Sequence, residues 1–268
     1  MTTEPGLQYD LGAATGPTPG FPGGTAVSHL RVYDWPTSDG LAGGSPHLHT
    51  ASAEGYVVLQ GSGALETLSA AGFHSTPLSA GTLLWFTPGT VHRLVNHSGD
   101  LELVVVMQNA GLPEAGDAVL TYPQHVLADA EAYRAATALP SAADFANAAD
   151  ADDAMAAAAR RRRDLAIEGY LALRERVVSE GPQALAELHE AAVRLVTAKA
   201  AGWRHPWRSG PLAQAETTGR HLDDLASGHA PHLSDATVYT AQRPQGLRRH
   251  GMCGRLQVWD LDGAQPLT

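Results

Sequence analysis

The sequence predicts a mainly β protein with an α-helical insertion or extension, and three observations carry that reading. Short β-rich runs broken by turn clusters fill the stretch from His29 to about Asn109. Apolar residues then recur at helical spacing between Ser141 and Trp203. A further β-rich run at 256–260 comes near the end and echoes residues 30–34. With 268 residues, 44% of them hydrophobic, there is apolar material for one large domain or two small ones.

Residues 1–27 carry Gly20, Pro22, Gly23 and Gly24 among polar neighbours and read as an extended arm with turns. Residues 28–125 read as an antiparallel barrel or sandwich. Its strands are expected at 30–35, 55–60, 64–68, 82–86, 93–96 and 101–107, with turns at 61–63, 70–72, 88–89 and 98–100. Residues 126–210 read as helical. Ser141 and Asp144 suit a capping box, and Asp150, Asp152 and Asp153 precede the basic run 160–163 in the order that suits a helix dipole. Leu165, Tyr170, Leu173 and Val177 form an apolar stripe. After the break at Gly181, Pro182 opens a second helix carrying Leu185, Leu188 and Leu195, so two antiparallel helices are expected. Residues 211–268 form a C-terminal segment whose strand is expected to return to the barrel sheet.

Composition narrows the partners. A net charge of -10 argues against a nucleic-acid-binding face or an anionic membrane surface and leaves a small molecule as the expected partner. No apolar run reaches the roughly 20 residues of a membrane span, and the N-terminus lacks a secretory pattern, so a cytoplasmic protein is expected. Cys253, the single cysteine, excludes an intrachain disulfide. Thirteen histidines are the compositional excess with chemical meaning, because imidazole is the commonest metal ligand.

Three of those histidines sit in informative surroundings. His47 and His49 are two apart, so on a strand both point to one face and a single metal can take both. Glu54 brings a carboxylate to the next strand, and His92 follows a Pro-Gly turn about thirty residues later. These two blocks resemble the paired motifs of the cupin superfamily. His47, His49, Glu54 and Gly61 match the first motif, while Gly81, Gly89, His92 and Asn96 match the second. Two positions depart from the pattern: Leu41 stands where a glycine is expected, and Thr87 where a proline is, with Pro88 one place late. The resemblance covers about residues 28–108.

The resemblance implies a double-stranded β-helix, or jelly-roll, barrel with a divalent metal held by His47, His49, Glu54 and His92. Three neutral imidazoles and one carboxylate suit a transition ion, Fe(II) first and Mn, Ni, Cu or Zn next, rather than calcium. Four protein ligands on an octahedral ion leave about two positions for a bidentate substrate, or for substrate and dioxygen.

Strand parity places other residues. Tyr56 shares the inward face of Glu54 and is a candidate catalytic hydrogen-bond donor, with Glu54 as a ligand able to take a proton. Asn96 is expected near His92, either orienting it from behind or bonding a turn. Gln108 reaches the pocket or lies on the surface. Trp85 and Phe86 read as core aromatics, and the run 160–163 as a solvated helix face or a crossing point for salt bridges.

These residues support a metal-dependent cupin oxidoreductase, of dioxygenase or oxidase type, acting on a small chelating molecule. The alternatives are a non-redox metal-dependent isomerase, lyase or hydrolase, and a metal-dependent binding or sensing module. The expected architecture is one barrel with helices added; the other arrangement is a second, degenerate barrel interrupted by helices, although no second His-x-His is present. Edge strands and the N-terminal arm suit a homodimer.

Overall fold

The computed structural model describes residues 20–266 apart from 146, 243 and 262. The expected N-terminal arm lies largely outside these residues; its described end is a single turn at Pro22–Gly24. Nine strands follow: β1 (Ala26–Val32), β2 (His47–His49), β3 (Glu54–Gln60), β4 (Ser62–Ser69), β5 (Gly72–Ser79), β6 (Leu83–Phe86), β7 (Val91–Asn96), β8 (Glu102–Met107) and β9 (Ala118–Leu120). Then come five helices: α1 (Gln124–Leu127), α2 (Ala130–Thr137), α3 (Ala148–Glu180), α4 (Ala186–Trp207) and α5 (Ala213–Ala226). Short strands β10 (Tyr239–Thr240), β11 (Arg249–His250), β12 (Gly254–Val258) and β13 (Gln265–Pro266) end the described chain.

The barrel is a jelly roll of two antiparallel sheets. One runs β11-β12-β1-β8-β3-β6 and the other β5-β4-β7-β2-β9. Alternation along each strand drives one face inward: Tyr56 and Val58 on β3, Leu94 on β7 and Leu103 and Val105 on β8 pack into a common interior with Leu30. The C-terminal strand is part of this barrel, because β12 pairs β1 with Leu30 opposite Leu256 and Ser28 opposite Val258.

Strand β5 was not expected. Pro77 lies in it and His74 to Pro77 are exposed, so it has no alternating signature. It is stable there because it is an edge strand, where a missing N–H and a solvated face both cost little.

The helices cover the outer face of the five-stranded sheet. Asn147 caps α3, its side chain accepting from Ala149 N and Asp150 N, and Gly181 ends it. The α3–α4 hairpin then packs Tyr170, Leu188 and Ala191 against Leu48, Leu68 and Val91 of the sheet. Gly169 permits the contact: a Cβ there would come 2.2 Å from Thr121 O. Thr121 Oγ1 in turn donates to Ala166 O at 2.9 Å, tying helix to sheet. Helices continue beyond the expected limit of 210, since α5 follows α4 through a turn at Arg208–Leu212, and overall they hold more residues than the strands. Among the described residues, no helix is long and apolar enough to cross a membrane.

The run 160–163, expected as a solvated helix face or a crossing point for salt bridges, is solvated at Arg160 and Arg161, and Arg163 pairs with Asp164, but its second half is buried. Arg162 is 7% and Arg163 2% exposed, and Arg163 donates to Trp35 O at 2.8 Å and Pro36 O at 2.9 Å. Helix α3 thus presents Arg162 and Arg163 to the barrel, where chain carbonyls accept from them, while Arg160 and Arg161 stay exposed.

Candidate metal centre

Antiparallel register assembles the site. His47 on β2 lies directly opposite His92 on β7, and Glu54 opens β3 on the facing sheet. The Pro-Gly turn before His92 needs Gly89, whose φ of 86° favours glycine. One ligand atom from each of His47, His49, Glu54 and His92 falls within 4.8 Å of the others, and all four residues are buried. Among the described residues this is the group of His, Cys, Asp and Glu side chains that converges as a metal site would.

The imidazoles are oriented from behind. His47 Nδ1 lies 2.9 Å from Ser45 O, and His92 Nδ1 lies 3.3 Å from Thr90 O. A carbonyl partner fixes Nδ1 as the protonated nitrogen and leaves Nε2 to face the centre. His49 has a carboxylate instead, with Asp117 Oδ2 3.6 Å from its Nδ1. Asp117 is fully buried, and its other oxygen accepts from Thr50 N at 2.7 Å, Thr50 Oγ1 at 2.6 Å and Ala51 N at 2.7 Å. The sequence reading missed Asp117; it stands far from both motif blocks, and a lone acid after Gly116 carries no local signal.

Electrostatics follow from burial and this pairing. Burial works against charge on His49, but Asp117 and Glu54 outweigh it and raise its pKa to about 9. His47 is pushed well below its ordinary value by burial and by its imidazole neighbours. Burial disfavours the Glu54 carboxylate, yet His49 and His92 hold it well below the usual carboxylate range. Glu54 Oε2 stands 3.2 Å from both His49 Nε2 and His92 Nε2. Glu54 Oε2 and His92 Nε2 nevertheless have no hydrogen-bond partner of good geometry among the described residues. Buried polar atoms left unsatisfied around one point are what a divalent cation would complete, and an N3O donor set fits a transition ion.

Tyr56 points inward as parity requires, fully buried, with its ring edge-on to Phe86 at 5.5 Å. Its hydroxyl has no hydrogen-bond partner among the described residues, and burial together with the Glu54 charge raises its pKa well above the ordinary value. Phe86 packs on His92 at 4.3 Å between ring centroids. Trp85, expected in the core, instead lies on the outer face and is 73% exposed.

Two expected neighbours of the centre are elsewhere. Asn96 bonds a turn: its Oδ1 accepts from Gly99 N at 2.9 Å and Leu101 N at 3.3 Å, and its Nδ2 donates to Val32 O. It does not orient His92, which has Thr90 O. Gln108 is exposed and accepts from Ala53 N at 3.2 Å, because β8 ends at Met107 and the chain leaves the barrel there.

A cavity of about 320 Å³ opens onto the centre, with His47, His49, Glu54, Arg162, Met252 and Cys253 among its walls. Cys253 is buried, and burial raises its thiol pKa well above the ordinary value. The C-terminal segment reaches this position through Gly44, where a Cβ would come 2.5 Å from Cys253 Cα.

Residues 39–107 match the family described as Cupin domain. This stretch of the chain is a cupin domain. Several solved structures resemble it over about a third of its length. A protein with a double-stranded β-helix domain from Klebsiella pneumoniae is 21% identical, over 31% of this chain and 64% of that one, with a TM-score of 0.24. A nucleoside dehydratase from Streptomyces is 20% identical, over 35% of this chain and 66% of that one, with a TM-score of 0.27. A predicted oxalate decarboxylase from Thermotoga maritima is 22% identical, over 31% of this chain and 64% of that one, with a TM-score of 0.24. The chain spans less than two thirds of the length of each of these. No curated protein matches it.

Proposed function

We propose that this cupin is a metal-dependent enzyme that oxidises a small chelating organic molecule with dioxygen. One divalent transition metal, Fe(II) first, would be held by His47, His49, Glu54 and His92. The observation that carries the reading is the unsatisfied, buried Glu54 Oε2 and His92 Nε2 facing one point beside an open cavity. Bound there, a redox-active ion would supply electrons to dioxygen and a coordination point for substrate.

The chain's own groups divide the remaining work. Glu54 carries the sole carboxylate of the donor set, so a proton leaving the substrate at the centre has Oε2 to receive it. Tyr56 stays protonated through the neutral range and donates toward an oxygen of the bound molecule. Leu30, Val105 and Met107 line the cavity and keep water from the reacting atoms. The partnerless Tyr56 hydroxyl also favours a second reading, proton transfer without oxygen, as in an isomerase, lyase or hydrolase.

Metal analysis of protein purified without chelators, with turnover of small organic acids measured in air and under argon, separates the readings. Iron with activity lost under argon supports oxidation; zinc with turnover indifferent to argon replaces it by the second reading. His92→Ala is expected to reduce metal content from about one ion per chain to near zero, and full retention of metal would remove the site assignment.

A further inference from the structure

We infer that Arg162, supplied by helix α3, makes the cavity a receptor for a single carboxylate, so that the substrate is a small organic acid with an apolar body. This rests on the cavity serving as the substrate site beside the metal ligands, and it narrows the substrate class of that site.

Three arginines of this protein are buried among the described residues, and two have carboxylate partners. Arg93 donates to Asp39 Oδ2 at 2.6 Å, and Arg163 to Asp164 Oδ1 at 2.7 Å. Arg162 is different. Its Nη2 donates to Gly251 O at 2.7 Å, its Nε has no partner, and no carboxylate of the described residues pairs with it. A guanidinium withdrawn from water without a counter-charge is costly, and an anionic ligand removes that cost. The side chain lies in the wall of the cavity that holds His47, His49 and Glu54. Its field reaches Cys253 and Tyr33, whose ionised forms it favours.

The placement is rigid. Gly169 and the Thr121 bond seat α3 on the barrel, and the next residue, Arg163, is anchored to the carbonyls of Trp35 and Pro36. A planar guanidinium held this way matches a carboxylate. One cation, with Glu114 on the same cavity, suits a singly charged acid better than a phosphate dianion. The other walls, Leu30, Val105, Met107 and Met252, suit an apolar body, and about 320 Å³ is at the small end of ligand cavities.

Benzoate, benzamide and inorganic phosphate serve as probes in calorimetric titrations of wild-type, Arg162→Gln and Arg162→Lys proteins, each with and without Co²⁺. Benzoate is expected to bind the wild type, to lose at least tenfold in affinity in Arg162→Gln, and to recover part of it in Arg162→Lys, with benzamide weaker throughout. Benzoate binding that is absent, unchanged in Arg162→Gln, or matched by benzamide would overturn the proposal, as would phosphate binding more tightly than benzoate. If Arg162→Gln fails to fold, the benzoate and benzamide pair on the wild type still decides. Loss of the metal reading is separate: no Co²⁺ uptake by the wild type removes the metal centre, while the dependence of benzoate on Arg162 is read in the metal-free protein.

Discussion

The two sheets of the barrel differ on their outer faces. The five-stranded sheet is covered by α3 and α4, and beneath that cover Glu66 is 6% and Arg93 0% exposed. The six-stranded sheet is open where β3 and β6 lie, leaving Leu83 65% and Trp85 73% exposed beside Val57 and Leu59. The covered face has thereby become a second interior, with its own apolar cluster and buried ion pairs. It also carries the route by which Arg162 enters the cavity. The added helices thus bring a buried cation to the cavity wall beside the four clustered side chains.

Removing charge from the covered face is expected to have the largest effect. Arg93 touches Asp39, Glu66 and Thr37 together, so Arg93→Ala leaves Asp39 without its cation and Glu66 with only Arg174 and Tyr170, and should cost about 3 kcal/mol in urea unfolding. A loss below about 1 kcal/mol would mean that the helices leave this face wet. Next in size is Gly169→Val, whose side chain would meet Thr121 O and Tyr122 backbone; about 1–3 kcal/mol of destabilisation is expected, with weaker benzoate binding because Arg162 shifts.

A smaller effect is a pH dependence. Burial acts to raise the pKa of Asp39, but Arg93 and Thr37 overcome it and hold the carboxyl below its ordinary range. A depressed folded-state pKa means that this stabilisation is full above the unfolded value, about 3.9, and is lost as pH falls below it. Asp39→Asn should therefore be less stable than wild type at pH 7 and converge on it toward pH 2 in thermal melts. The smallest effect belongs to the open face. Trp85→Ser should change monomer stability by no more than about 0.5 kcal/mol. We propose that the expected homodimer seats a second copy there, along the free edge of β6; light scattering should then show a dimeric wild type and a monomeric Trp85→Glu. A monomeric wild type at micromolar concentration would leave this face unpaired in solution.

What was legible in the sequence is what metal ligation and strand alternation force into short spacing. His47, His49, Glu54 and His92 are readable because coordination needs those types within two motif blocks, and Tyr56 because parity ties it to Glu54. Asp117 was invisible, since its role depends on β9 lying beside β2, a pairing no local pattern encodes. Asn96 fitted two roles equally at sequence level, and the turn at Gly99 took it. Arg162 looked like one of four arginines on a polar helix; only the docking of α3 distinguishes it from Arg160, which stacks on Trp35. Strand β5 was hidden by its edge position, where Pro77 and polar residues are tolerated.

Strand order has a consequence for how the protein is made. β1 lies between β8 and β12, so the first strand to emerge from the ribosome waits for one of the last. Until residues 252–258 are synthesised, Ser45 N lacks its bond to Met252 O and Tyr33 N its bond to Cys253 O. The chain just before the strand bearing His47 therefore lacks this anchor during translation, although that strand already has β7 and β9 on its two sides and the helical hairpin is complete. The nascent chain passes through a stage with a clothed sheet, an open edge and an unfinished cavity, and the wall beside the His47, His49 and Glu54 cluster closes only as the final barrel strand docks.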